Sequence, residues 1–239
     1  MVVKSQIKFI KNLQQKKYRN EHKLFVVEGI KLVRELLDSD FEVYGIYTTD
    51  LGLLQDTEDV EHISESELQK MSGLKSPNKI LAVFHFPTER ELKVADWTVV
   101  LDDVRDPGNL GTIIRLCDWF GIDRLVCSLN TVDCFNPKTL QATMGSVSRV
   151  NIIYTDVIQF LKKTEVPVYG AFMDGTTVYK EAFPEKGILV MGNEANGVSA
   201  EVEALIAKKI AIPQFGKSNT ESLNVATATA ILLNEIRRG

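Results

Sequence analysis

Ile212-Pro213-Gln214-Phe215-Gly216-Lys217-Ser218-Asn219-Thr220-Glu221-Ser222-Leu223-Asn224-Val225-Ala226 joins a short apolar strand, Lys209 to Ile212, to an Ala-rich helix. The polar, Gly-containing loop between them places hydroxyl and amide side chains, with unpaired backbone N–H groups, at a helix N-terminus. That combination suits a bound polar ligand better than a plain turn does. Capping by Ser222 or Thr220 accounts for part of the pattern without any ligand.

Outward from this stretch, the chain reads as two α/β patterns separated by a polar segment. The second pattern begins with the apolar strand Trp97 to Leu101 and a helix from Asn109 to Phe120. Strand Arg124 to Cys127 follows, then a helix after Asn136-Pro137, where Pro137 suits the first helical position. Strand Val150 to Tyr154, helix Asp156 to Lys162, strands Val166 to Phe172 and Gly187 to Met191, helix Ala200 to Ala207, strand Lys209 to Ile212 and helix Leu223 to Arg237 complete it. Apolar strands alternating with helices imply a parallel sheet covered on both faces, with ligands beyond the carboxyl ends of its strands. In the first pattern, helix Ser5 to Lys16 precedes strand Leu24 to Val27 and helix Gly29 to Leu37. Strand Val43 to Thr48, a helix capped by Ser64 and running to Met71, and strand Ile80 to Phe86 close it. Phe86 to Lys93 is charged, contains Pro87 and is the linker candidate, so the domains are expected at 1–90 and 94–239.

Two further loops follow strands of the second pattern and therefore share its rim. In Asp106-Pro107-Gly108-Asn109-Leu110-Gly111-Thr112-Ile113-Ile114-Arg115, Gly108 and Gly111 permit close backbone approach and Asn109 is a cap candidate. Arg115 lies six residues beyond Asn109, a rotation of about 600° at ~100° per residue, so the two side chains point to different sides. The bland reading is an arginine paired on the surface of an ordinary strand-to-helix turn. A dinucleotide turn is the other reading, although the full G-x-G-x-x-G is missing. In Val190-Met191-Gly192-Asn193-Glu194-Ala195-Asn196-Gly197-Val198-Ser199, turn chemistry explains Asn196-Gly197 but leaves Glu194 unexplained.

The chain has 239 residues and a net charge of −4, which argues against indiscriminate coating of nucleic acid. Between Met1 and Arg34, nine basic residues face two acidic ones, so this segment carries +7 and the rest −11. A basic end on an acidic body fits an anionic polymer gripped at one place, and equally a solvated amphipathic helix. The three cysteines match no zinc or redox spacing and read as reduced. No apolar run reaches membrane-spanning length and no signal-peptide core follows Met1, so a cytoplasmic protein without membrane attachment is expected.

Taken in order, the three loops resemble the SpoU-type (TrmH-type) branch of the SPOUT methyltransferases. The family patterns N-x-G-x-x-x-R, G-x-E-x-x-G and I-P…S-L-N stand here as Asn109 to Arg115, Gly192 to Gly197, and Ile212-Pro213…Ser222-Leu223-Asn224. The likeness runs from about Trp97 to the C-terminus. One departure is the loop Gln214 to Glu221, longer than the pattern and placed to alter a cofactor lid. Leu13 to Arg19 and Phe25 to Gly29 make the N-terminal part similar to a substrate-binding domain often attached to this family.

The resemblance implies an α/β chain whose C-terminal SPOUT domain carries a deep trefoil knot, preceded by a smaller α/β RNA-binding domain. It implies methyl transfer from S-adenosylmethionine to a ribose 2′-hydroxyl, in ribosomal or transfer RNA with ribosomal RNA favoured, by a homodimer and without a metal. Arg115, Asn109, Glu194, Ser222 and Asn224 become the catalytic set, and Gly192, Met191, Ile212, Leu223 and Ser222 the cofactor set. A guanidinium stays protonated and has no acceptor, so Arg115 is expected to clamp phosphate and stabilise negative charge rather than act as base. Lys16, Lys17 and Arg19 are expected to hold RNA. A fold-keeping RNA-binding protein without catalysis, and a nucleotide-dependent oxidoreductase, are the rival readings.

Overall fold

A computed structural model describes residues 2–87, 95–216 and 222–238. The expected linker from residue 88 onward, both domain boundaries, and positions 217–221 of the third loop lie outside the described residues. The chain divides into two compact units. One comprises Met1–Arg90 with Asp133–Ser148, the other Glu91–Val132 with Arg149–Gly239.

The first unit opens with α1 (Lys4–Asn12) and α2 (Lys16–His22), where the sequence suggested one helix ending at Lys16. The backbone turns over Leu13–Gln15, and Lys23 ends α2 in the left-handed region at φ 55°. Strand β1 (Leu24–Glu28), helix α3 (Ile30–Leu37), strand β2 (Val43–Thr48) and the three-residue β3 (Val60–His62) follow. Helix α4 (Glu65–Met71) starts in a capping box. Ser64 Oγ accepts from Glu67 N–H at 3.3 Å, and Glu67 Oε2 accepts from Ser64 N–H at 2.8 Å. Strand β4 (Ile80–His85) then completes a mixed sheet of order β1-β4-β2-β3. β4 pairs antiparallel with β1 and β2, while β2 and β3 run parallel. Ile10 and Leu13, both fully buried, pack with Leu68 and Met71 over one face of this sheet.

The second unit supplies β5 (Trp97–Leu101), α5 (Pro107–Trp119) and β6 (Arg124–Ser128). Helix α6 (Pro137–Thr143), capped by Asn136, belongs instead to the first unit. There Phe135 stacks on Phe25 and on Phe86 with ring centroids 4.5 Å apart in each case, and Gln141 Nε2 donates to Glu28 O at 2.7 Å. The chain returns to the second unit with β7 (Asn151–Thr155), α7 (Val157–Lys162), β8 (Val168–Thr177), β9 (Gly187–Met191), α8 (Ala200–Glu203), β10 (Lys208–Ala211) and α9 (Val225–Arg237).

These six strands form one sheet, β10-β8-β9-β5-β6-β7, in which every neighbouring pair is parallel, as the alternation of apolar strands and helices implies. All carboxyl ends therefore share one edge. From β5 the chain builds outward through β6 to β7, then crosses to β8, β9 and β10 on the other side. The edge beyond β5 and β9 is thus a topological switch point, where such sheets hold ligands. At the far end of α9, Arg237 pairs with Asp96 and donates to Phe120 O at 2.8 Å and Gly121 O at 2.9 Å. That fastens α9 to the start of β5 and the end of α5.

Candidate active site

Three loops leave the carboxyl edge of the parallel sheet, after β5, β9 and β10. The first reaches α5 through Asp106, whose Oδ1 accepts from Asn109 N–H at 2.8 Å and whose neighbour Pro107 opens the helix. Asn109 is therefore not the cap that its side chain suggested. It is the third residue of α5, within the first turn, and its amide is free to reach the other loops. Asn224, rather than Ser222, caps α9, while Thr220 lies outside the described residues: the Asn224 Oδ1 accepts from Ala226 N–H at 3.0 Å and Thr227 N–H at 3.2 Å.

A chain of side-chain bonds joins all three loops. Asn224 Nδ2 donates to Asn109 Oδ1 at 2.8 Å, and Asn109 Nδ2 donates to Glu194 Oε1 at 3.0 Å. Glu194 Oε1 also accepts from Asp106 N–H, and Oε2 from Arg105 N–H, each at 3.2 Å. Burial alone would push the Glu194 carboxyl up. The Asn109 amide and the backbone N–H groups outweigh it, and the pKa falls below the ordinary 4.5. Glu194 is thus an ionised strut with both oxygens engaged. Beneath it, Asp102 Oδ2 accepts from Ser199 N–H at 2.8 Å, and Asn193 Nδ2 donates to Asp103 O at 2.6 Å.

The second loop folds back on itself, Asn193 and Gly197 exchanging backbone bonds of 2.8 and 3.0 Å. Gly197 sits at φ +68°, and a Cβ on Gly192 would lie 2.2 Å from the Gly197 carbonyl carbon. Position 192 can hold only glycine if this turn is to close over it.

Next to the asparagine–glutamate chain opens a cavity of about 550 Å³. It is lined by residues 171–173 of β8, by 191–197, by 210 and 212–214, and by 222–225, 228 and 232. Met191, Gly192, Ile212, Ser222 and Leu223 all face it, as do Glu194 and Asn224 of the expected catalytic set. Among the described residues of this lining Glu194 is the one charged side chain. No cluster of metal-ligating side chains occurs among the described residues. No helix there is long and apolar enough to cross a membrane.

Arg115 is not brought to this cavity. It stands exposed in the middle of α5, on a different side from Asn109 as the helical rotation required, and is absent from the lining. Arg19 needs a correction of another kind. Its side chain is 2% exposed, with Nη1 donating to Leu13 O at 3.0 Å and Gln14 O at 2.8 Å, and Nη2 to Asp133 Oδ2 at 2.5 Å. A guanidinium so committed has no edge left for RNA, and Arg19 is a structural residue. Lys16 and Lys17 are exposed at the start of α2. The sequence reading also missed Asp102, Asp106 and the β8 segment of the lining. The run Asp102-Asp103-Val104-Arg105-Asp106 was the available signal for the first two.

The SpoU rRNA Methylase family model matches residues 96–234, and a model of the MRM3-like substrate binding domain matches residues 4–82. The 23S rRNA (guanosine(2553)-2′-O)-methyltransferase RlmP of Bacillus subtilis is 35% identical, over 97% of this chain and 95% of that one. Among solved structures, a TrmH-family protein from Porphyromonas gingivalis superposes with a TM-score of 0.91 at 40% identity, covering 100% of this chain and 99% of that one. An AdoMet-bound rRNA methyltransferase from Sinorhizobium meliloti gives a TM-score of 0.86 at 30% identity, covering 100% and 97% respectively.

Proposed function

This chain belongs to the SpoU rRNA methylase family, and from that premise we propose that it methylates a ribose 2′-hydroxyl in ribosomal RNA, with S-adenosylmethionine as donor. The observation that carries this reading is the cavity at the sheet rim, bordered by the Asn224–Asn109–Glu194 chain. Its volume is that of an ordinary small-molecule site. Its described lining is largely apolar and includes the Glu194 carboxylate, which suits an adenosine bearing a positive sulfonium.

When bound, S-adenosylmethionine supplies a methyl group made electrophilic by its sulfonium. Met191, Ile212 and Leu223 furnish apolar walls for the adenosyl part, and Ser222 a hydroxyl. Glu194 and Asn224 fix the Asn109 amide from opposite sides. Among the described residues each asparagine retains one Nδ2–H, and these two donors would orient the ribose beside the donor. The ribose hydroxyl would give up its proton to water or a flanking phosphate, since no side chain of the asparagine–glutamate chain is free to take it. Arg115, permanently protonated, stabilises the negative charge on the ribose oxygen.

The exposure of Arg115 on α5, outside the described lining of its own chain's cavity, supports a reading in which it serves the cavity of a second copy. Trp119, 83% exposed one turn further along α5, is the apolar anchor of that association. The homodimer, the threaded C-terminal knot, RNA contact by Lys16 and Lys17, and a cytoplasmic location belong to the same proposal.

The test is transfer of labelled methyl from S-adenosylmethionine to ribosomal RNA from cells lacking the protein, followed by mapping of 2′-O-methyl sites. Label appearing on one ribose position is the expected result. Label on a base, or only on transfer RNA, would refute the reading. Arg115→Ala is expected to remove most transfer while leaving donor affinity intact.

A further inference from the structure

The β5–α5 loop carries a bidentate ion pair that the mechanism above does not use. Arg105 Nε donates to Asp103 Oδ1, and its Nη2 lies against Asp103 Oδ2, both at 2.9 Å. The Arg105 side chain is 69% exposed, a setting in which an ion pair adds little stability. Yet Asp103 holds a left-handed backbone at φ 62°, a conformation with a cost for any residue bearing a Cβ. Strain of this kind persists where the surroundings fix it, and here they do. Asp103 O accepts from Asn193 Nδ2 at 2.6 Å, and Asp103 N–H donates to Ser128 Oγ at 2.9 Å.

Arg105 is therefore held twice. Its own N–H donates to Glu194, a cavity-lining carboxylate, and its Nε–Nη2 edge is locked by Asp103. Nη1 makes no hydrogen bond among the described residues, so one edge of a guanidinium fixed by Asp103 is available on a residue whose backbone is tied to the cavity-lining Glu194. A planar fork fixed in this way suits a phosphate oxygen pair.

We propose that Arg105 binds a backbone phosphate of the RNA next to the ribose that receives the methyl group, with Asp103 as the positioning residue. The inference rests on the ribose methylation reading, and it assigns Arg105 to substrate binding within the same chain, distinct from Arg115.

The experiment uses the full-length protein and ribosomal RNA from cells lacking it. RNA binding without cofactor is measured across salt concentrations, alongside KM and kcat, for the native protein, Arg105→Ala, Arg105→Lys and Lys162→Ala. Lys162 on α7 controls for loss of any one surface charge. Arg105→Ala is expected to raise KM for RNA about tenfold and to lower the salt slope by about one phosphate contact, with kcat and donor affinity unchanged. Arg105→Lys recovers only part of this, because an ammonium cannot span both Asp103 oxygens. A salt slope and KM for Arg105→Ala equal to those of Lys162→Ala would overturn the proposal, as would loss of donor affinity with unaltered RNA binding. A native protein that binds RNA but transfers no methyl would defeat the parent reading, and the salt slope would still decide the phosphate contact.

Discussion

Arg19 and Lys16 lie three positions apart in one basic run, yet they contribute in opposite ways. Removing the Arg19 guanidinium strands Asp133 and two backbone carbonyls in a buried setting. Arg19→Ala is expected to cost about 3 kcal/mol in chemical denaturation, whereas Lys16→Ala falls within about 0.5 kcal/mol of the native protein. Equal midpoints for the two variants would show that the Arg19–Asp133 pair contributes nothing net. Nothing in the run Lys16-Lys17-Tyr18-Arg19 distinguishes them, because the partner of Arg19 is 114 residues away. The site residues were more legible. Glu194 stands out because turn chemistry leaves it unexplained, while Asn109 and Asn224 enter through the family pattern, and the three meet in one hydrogen-bonded chain. Glu194 also sets a pH dependence. Its folded pKa is lowered, so its contribution is complete above the ordinary value near 4.5 and is lost as pH falls through the folded value. Donor affinity should therefore be unaffected at pH 4.5 and decline only as pH falls through the lowered folded value. Glu194→Gln should flatten that decline, and an unaltered acid limb in calorimetric titrations would remove Glu194 from the linkage.

At the scale of elements, β5, β9 and α9 are foreseeable from apolar runs and turn chemistry, because their strands are buried on both sides and bounded by Gly, Pro or Asn. The three-residue β3 carries no periodicity long enough to detect. Helix α6 is legible as a helix, through Asn136-Pro137, but not as part of the first unit. Its placement depends on Phe135 meeting Phe25 and Phe86, pairings that only the folded chain brings about. Helix α2 is unusual in the reverse sense. It begins with Lys16 and Lys17 and has no acidic residue in its first turn, so its charges oppose the positive end of the helix. Lys16→Glu with Lys17→Glu should stabilise the fold by about 0.3–1 kcal/mol per charge while weakening RNA binding and its salt dependence. Stability gained together with binding lost would identify these lysines as functional. If both stability and binding fall, they are structural instead.

For the whole molecule, the proposed homodimer turns on which copy supplies Arg115. The residue is exposed on α5 and outside the lining of its own cavity, while Gly192 closes the turn that borders that cavity. Gly192→Val places branched carbons against the Gly197 carbonyl and abolishes the donor site of its own chain. Arg115→Ala leaves that site intact but removes the cation. Each homodimer alone should be nearly inactive. Equal mixing under exchange yields mixed dimers as about half of the population, and in each of these one cavity is native and faces a native Arg115 from the other copy. Transfer should then recover to about a quarter of the native rate. If Arg115 served its own cavity, neither chain of a mixed dimer could hold a complete site, and mixing would restore nothing. Trp119→Lys in both chains separates association from chemistry, since it should yield monomers that bind donor but no longer complement one another.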